Sequence, residues 1–292
     1  MKIVKILGGL GNQMFQYAFL LSLRQRYKES VLMDTSIFDT YNLHNGFELE
    51  RIFKITAPKA NKTQIASLTR YSNSYFWSRV FQKVLPLRKT EFREKKFFKY
   101  YPEVLNIAGD QYYDGYWQNH EYFDTCKELI KQEFTYKEPL DAKNKSIEEF
   151  LLENSNCVSI HVRRGDYLKH KLYKDLCGLD YYQKAIEQIR KKNNPITKWF
   201  IFSNDIAWCA ENLLKFLPEE TVCFVDWNQG KDSYKDMRLM SACRINVIAN
   251  SSFSWWAAYL NQHSDKEVFA PKRWINLPMQ FSIQMPNWIL VD

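Results

Sequence analysis

From Cys157 to Tyr167 the chain reads CVSIHVRRGDY. A short apolar alternation, Cys157–Val162, predicts a strand, and two arginines, a glycine and an aspartate follow it directly. Side chains alternate across a strand, so His161 and Arg163 share one face while Val162 and Arg164 share the other. Arg163 is therefore assigned to a ligand, since an arginine at a strand end can grip a phosphate through two parallel N–H groups. Arg164 is assigned to a structural ion pair. Asp166 has two readings, a general base within reach of a substrate hydroxyl or a carboxylate that orients Arg163.

Outward from this stretch the second half of the chain alternates strands with helices. Strands are predicted at Trp199–Phe202, Val222–Val225, Ile245–Ile248 and Glu267–Ala270. Helices are predicted near residues 179–192, 207–216, 234–243 and 253–261. This is the pattern of a parallel sheet covered on both faces. Three polar clusters, Arg163–Asp166, Ser203–Asp205 and Asn250–Ser252, each come directly after a strand, and open α/β sheets bind ligands at the carboxyl ends of their strands. In Asn250-Ser-Ser-Phe-Ser-Trp-Trp256, serines open a helix, where unpaired N–H groups and the helix dipole form an anion site; the alternative is a plain serine N-cap.

The N-terminal half opens as β-α-β: a strand within Met1–Leu7, the turn Gly8–Gly11, a helix over residues 12–27 and a strand at Val31–Asp34. The loop Gly8-Gly-Leu-Gly-Asn-Gln13 fails the dinucleotide fingerprint, because Met14 stands where the third glycine belongs, and it lacks the G-K-[ST] of a P-loop. Residues 40–138 are less regular, with aromatic and basic clusters at Tyr71–Trp77 and Arg93–Lys99, and short helices and loops are expected there. The polar, proline-containing segment Lys137–Lys145 reads as a linker. It divides the chain into domains at 1–145 and 146–292.

Composition narrows the functional class. Net charge is +8, read either as a sign of an anionic partner or membrane surface or as a codon bias toward lysine, and aromatics make up 16% of the 292 residues, either as core or as rings for stacking on sugars or bases. The six cysteines form no C-x-x-C pair and mostly sit in apolar runs, which points to a reducing compartment. The opening MKIVKILGGLGNQ has no apolar h-region with a cleavage site, so no signal peptide is expected. No apolar stretch is long enough to span a bilayer, so a cytoplasmic protein is expected. There is no D-x-D or H-E-x-x-H, and the five histidines are scattered, so no metal is predicted. Without a metal, arginine and helix termini must neutralise phosphate charge. Tyr116 and Trp117 are read either as a sugar-stacking pair or as core. Asp236 opens a helix and is either an N-terminal helix charge or a reader of a base edge.

Five ordered blocks resemble the bacterial α-1,2-fucosyltransferases of glycosyltransferase family 11: GGLGNQMFQYAFLLSL from Gly8, GYWQNHEYF from Gly115, HVRRGDY from His161, FSNDIAWCAENL from Phe202 and NSSFSWWAAYLN from Asn250. The resemblance implies a GT-B-like fold with two Rossmann-like domains facing across a cleft, an acceptor-side N-terminal domain and a donor-binding C-terminal one. It further implies an inverting, metal-independent and cofactor-free transfer of fucose from GDP-β-L-fucose to the 2-hydroxyl of a terminal β-galactoside. Carried over by position, His161 and Arg163 hold the donor diphosphate, Ser251 and Ser252 bind phosphate, Asp236 reads the guanine and Asn12 faces the fucose. Many relatives carry FSDD where this chain has FSND, which weakens a catalytic role for Asn204. The expected acceptor is a galactose-containing oligosaccharide or lipid-linked glycan, with the basic cluster Arg93–Lys99 available for peripheral contact with lipid headgroups. The competing readings are a glycosyltransferase with another nucleotide sugar or acceptor, and a non-catalytic nucleotide- or nucleic-acid-binding module. Against the latter, no RRM, OB or helix-turn-helix signature is visible.

Overall fold

A computed structural model describes the chain apart from residues 29, 41–43, 71–79, 81–83, 85, 193–194 and 279–280. It divides into two compact units, Met1–Glu138 and Pro139–Asp292. The aromatic cluster Tyr71–Trp77 lies outside the described residues. The division falls inside the expected linker, ahead of the predicted boundary at 145, because the second half of that segment is helical. Asp141 caps a helix over Ala142–Glu153 by accepting the Asn144 N–H at 3.1 Å. Its lysines and asparagine masked an apolar face of which only Leu151 is fully buried among the hydrophobic residues.

In the first unit the strands β1 (Lys2–Lys5), β2 (Val31–Asp34), β3 (Glu91–Arg93) and β4 (Gln111–Asp114) form a parallel sheet in the order β2-β1-β4-β3. Helix α1 (Leu10–Arg26) is buried along nearly its whole length up to Leu23. A helix apolar on most sides is an interior helix. Strands β3 and β4 lie in the region expected to be loops and short helices. Gln111-Tyr-Tyr-Asp114 is short and flanked by polar turns, so it shows no period. It becomes a strand by docking between β1 and β3, where Tyr112 and Tyr113 are buried. The unit continues through α2 (Leu49–Ile52), α3 (Lys62–Leu68) and α4 (Lys127–Glu133).

The second unit begins with α5 (Ala142–Glu153) and carries β5 (Cys157–Val162), α6 (Leu179–Lys191), β6 (Lys198–Ser203), α7 (Ile206–Leu213), β7 (Val222–Val225), α8 (Tyr234–Ala242), β8 (Ile245–Val247), α9 (Ser252–Leu260), β9 (Glu267–Pro271) and β10 (Ile289–Val291). Its six strands are parallel in the order β10-β9-β8-β5-β6-β7. Strand β5 is buried at every position. Val158, Ile160 and Val162 pack with Tyr182, Ile186 and Leu213 of α6 and α7. The opposite face is polar within the core: Asn246 donates to Ser159 Oγ at 2.7 Å, and Asn261 donates to Asn246 Oδ1 at 2.8 Å. Two parallel sheets built this way, with helices between strands, are the α/β architecture expected from the alternation. Among the described residues no helix is long and apolar enough to cross a membrane.

Candidate active site

The register of β5 against β6 pairs Val162 with Ser203, which sets the two arginines beside Asn204 and Asp205. Arg164 is fully engaged there. Its Nε donates to Asp205 Oδ2 at 3.1 Å, its guanidinium lies 4.1 Å from the Trp208 ring centre, and its backbone N–H donates to Asn204 Oδ1 at 2.9 Å. Asp205 also caps α7 through the Trp208 N–H. Gly165 has φ +24°, and a Cβ there would collide with Asn204 Nδ2, so glycine lets the turn close on the asparagine. Asn204 and Asp205 are thus occupied in holding the loop.

Arg163 emerges on the other face. Its Nη2 lies 2.8 Å from Asp166 Oδ1, and its guanidinium carbon lies 5.4 Å from the centre of the Tyr167 ring. Its Nε is buried without a hydrogen-bond partner among the described residues, and so is Nδ1 of His161, two residues earlier on the same strand face. A buried nitrogen left unpaired costs about 1–3 kcal/mol, and two together mark a place where acceptor oxygens are wanted. Burial, and secondarily the Arg163 charge, pushes the His161 pKa down to about 3. The imidazole is therefore neutral from pH 5 upward and can offer a hydrogen bond but no charge. The cation at this strand end is Arg163.

Helix α9 begins alongside. Ser251, 6% exposed, accepts the Phe253 N–H at 3.3 Å, the contact of an N-cap, and Ser252 opens the helix. The first turn holds no acidic residue, so the dipole's positive end is not neutralised by its own side chains. The Phe253 ring centre lies 5.8 Å from that of His161, which places α9 on the His161–Arg163 face of β5. Asn250 is structural, donating to the Trp274 carbonyl at 3.2 Å. The loop after β5 continues at this corner: the Tyr167 ring lies beside the Arg163 guanidinium and stacks on Tyr173 with ring centres 4.9 Å apart.

Asp236, in the first turn of α8, accepts from Asn228 Nδ2 at 2.8 Å, and its other oxygen makes no hydrogen bond among the described residues. Asn228 in turn exchanges hydrogen bonds with Asn144 near the start of α5. Burial pushes the Asp236 pKa up to about 7. A carboxyl raised in the folded state holds its proton more tightly there than in the unfolded chain, so its contribution to stability is lost as pH rises from about 4 to 7. Asp236→Asn removes this ionisation. The variant's denaturation midpoint relative to wild type is expected to be higher at pH 8 than at pH 4, and an identical difference at both would refute the assignment.

In the first unit, the glycine loop at the end of β1 is braced from below by amides of α1. Gln13 Nε2 donates to the carbonyls of Gly8 and Gly46, each at 2.8 Å, and Gln16 Oε1 accepts the Leu7 N–H at 2.8 Å. Both glutamines are fully buried. The signal for them in the sequence is their place: two glutamines inside an otherwise apolar helix are the sign of buried amides with backbone duties. Gly8 adopts φ +83° beneath Asn12, whose Oδ1 accepts from Gln118 at 2.9 Å. The loops after β1 and β4 are thereby tied together at the carboxyl edge of the sheet.

Trp117 is a correction. It is 0% exposed and stacks on Phe19 with ring centres 4.3 Å apart, with Tyr113 and Tyr122 edge-on. A ring enclosed on its face by Phe19 and edge-on by two tyrosines has no surface for a sugar, so Trp117 belongs to the core. Tyr116 is half-buried and keeps a surface. Its N–H donates to Glu94 Oε2 at 2.8 Å, and the Trp117 N–H reaches the same oxygen at 3.3 Å. Glu94 was not visible in the sequence, where it lies in a charged run, Arg93-Glu-Lys-Lys96. Among the described residues no group of three or more His, Cys, Asp or Glu side chains is placed to hold a metal ion.

Known proteins of similar sequence cover nearly the whole chain. The chain is 31% identical over 281 residues to an alpha-1,2-colitosyltransferase of Escherichia coli, a match covering 93% of this chain and 91% of that protein. It is 32% identical to the O-antigen biosynthesis glycosyltransferase WbnK of Escherichia coli over 97% of both chains. It is 27% identical to galactoside alpha-(1,2)-fucosyltransferase 2 of Pongo pygmaeus, covering 88% of this chain and 68% of that one. Among solved structures, NodZ alpha-1,6-fucosyltransferase soaked with GDP-fucose superposes with a TM-score of 0.54 at 16% identity, covering 89% of this chain and 91% of that one, a likeness of the GT-B-like fold. Glycosyl transferase family 11 matches residues 1–292; with that match running end to end, the chain belongs to glycosyl transferase family 11.

Proposed function

We propose that the protein transfers L-fucose from GDP-β-L-fucose to the 2-hydroxyl of a terminal β-galactoside in a surface glycan, with inversion and without a metal ion. The observation that carries this reading is the pair of buried, unpartnered nitrogens, His161 Nδ1 and Arg163 Nε, on the strand face that α9 adjoins. In this reading the second unit takes the donor. Charge accumulates on the β-phosphate as its bond to fucose C1 breaks. Arg163 and the N–H groups around Ser251 and Ser252 meet that charge, while neutral His161 hydrogen-bonds a phosphate oxygen without adding charge of its own. Asp166 orients Arg163 through their ion pair, and the open oxygen of Asp236 takes guanine N–H groups. The first unit takes the acceptor, with Tyr116 stacking on the galactose ring.

The 27% identity to a galactoside alpha-(1,2)-fucosyltransferase supports this donor and acceptor. A second reading, colitosyl transfer, is favoured by the 31% identity to the alpha-1,2-colitosyltransferase. Incubating the protein with GDP-fucose or GDP-colitose, a small panel of galactosides and EDTA separates the two. Mass and linkage analysis is expected to show an α-1,2-fucosyl product whose yield EDTA leaves unchanged. Product from GDP-colitose alone would reassign the donor.

A further inference from the structure

Three carboxylates end or follow strands at the carboxyl edge of the first unit's sheet, and they differ in how they are engaged. Asp34 is saturated: its Oδ1 accepts the Ser36 N–H at 2.9 Å and hydroxyl at 2.6 Å, and its Oδ2 accepts the Tyr112 hydroxyl at 2.6 Å. Asp114 faces cations, with Lys5 Nζ at 3.3 Å and Arg93 Nε at 3.7 Å. Glu94 is held differently. Its Oε2 accepts the two N–H groups of Tyr116 and Trp117, while its Oε1 has no hydrogen-bond partner among the described residues and is not sealed from solvent.

The surroundings of Glu94 bear on its proton. Burial pushes its pKa up to about 7 and the Asp114 carboxylate adds to the rise, against the two N–H groups that pull it down. The cations Lys5 and Arg93 lie on Asp114 rather than on Glu94, and the hydroxyls of Tyr101 and Tyr122 are held un-ionised by burial. A carboxyl balanced near neutrality, with one oxygen fixed and one open, meets the requirements for moving a proton at physiological pH. Asp166 meets them less well, since it is more than half exposed and paired to Arg163.

We infer that Glu94 is the proton acceptor for the incoming sugar hydroxyl, an assignment that rests on the transfer reaction proposed above. The acceptor O–H gives its proton to Glu94 Oε1, and the oxygen's electron pair forms the new bond to the donor's anomeric carbon. The bond from that carbon to the β-phosphate oxygen breaks, and its electrons leave on GDP. The N–H groups of residues 116 and 117 hold Oε2 and so fix the direction of the carboxylate, leaving Oε1 for the sugar hydroxyl.

The competing role is a brace for the 115–117 turn, and Glu94→Gln separates the two. A glutamine oxygen still accepts both N–H groups, so a brace survives and a base does not. The variant is expected to lower kcat about 10²–10⁴-fold, to keep wild-type affinity for GDP, and to lose the ionisation near pH 7 that governs kcat/KM. In Glu94→Ala, added formate is expected to restore part of the turnover. Wild-type kcat in Glu94→Gln would overturn the assignment and leave Glu94 a brace. If the variants do not fold, the wild-type profile decides alone: kcat/KM must rise between about pH 5.5 and 8.5, and a flat profile overturns the assignment. A wild-type protein that transfers from no GDP-sugar overturns the underlying reading instead.

Discussion

Arg163→Ala is expected to lower kcat for fucosyl transfer about 10²–10³-fold, the usual loss when one pre-organised stabiliser of transition-state charge is removed. Three observations make Arg163 the residue to test. It is the cation at the end of β5 on the α9 face, since alternation and the Asp205 pair take Arg164 away. Its neighbour His161 is neutral and cannot replace its charge. Its Nε is buried without a partner, so an acceptor oxygen there removes an existing cost. The stability change should be small, because the pair it makes with Asp166 is between groups 33% and 57% exposed, and such pairs contribute only about 0–1 kcal/mol. Arg163→Lys should also be impaired, since an ammonium cannot match the guanidinium fork. Turnover at the wild-type rate in a folded Arg163→Ala protein would remove the arginine from the mechanism. Asp166→Asn is the companion measurement: a carboxylate that only orients Arg163 predicts a far smaller loss than Arg163→Ala and no change in the pH profile.

Trp117→Ala is expected to cost about 3–5 kcal/mol of stability, a large share of the roughly 5–15 kcal/mol that holds a typical domain together. The ring is completely buried, and it joins Phe19 of α1 to Tyr113 of β4. Its loss opens a cavity where helix and sheet meet. The check is the denaturant midpoint beside the acceptor KM at a temperature where the variant is still folded. A core role predicts a lower midpoint with an acceptor KM near wild type. A sugar-stacking role predicts the reverse, an unchanged midpoint with a raised KM, and that outcome would return Trp117 to the acceptor site. Trp117→Phe keeps part of the stack and should fall between wild type and alanine.

The parts of this molecule that could be read from the sequence are those where one element carries its own signal. Strand β5 is uniformly apolar or small and ends in charge, and the division of its two arginines followed from alternation alone. The clusters after β5, β6 and β8 were placed correctly because a parallel sheet sends every strand's carboxyl end to one edge, a consequence of the strand–helix alternation. The serines of α9 were legible for the same reason. Strands β3 and β4 were not, since three or four residues with charged or amide ends show no periodicity, and their pairing with β1 makes them strands. Helix α5 was hidden in a polar stretch whose main order comes from an N-cap and an asparagine network to Asn228.

The site divides along the same line. Which residue types stand at the strand ends, their order, and the face each side chain takes were determined by the sequence, because they depend on local geometry with fixed periods. Whether a given group is saturated, neutral or open was decided only by tertiary structure. Trp117 is core because Phe19, from the other end of the unit's sequence, lies against its face. Asp34 is occupied because Tyr112 reaches it from β4. Glu94 keeps one oxygen open because the turn after β4 occupies the other, and its proton affinity follows from burial that no window of sequence around it contains. Burial and partner choice are sums over groups distant in the chain, and those sums do not exist until the sheet has formed.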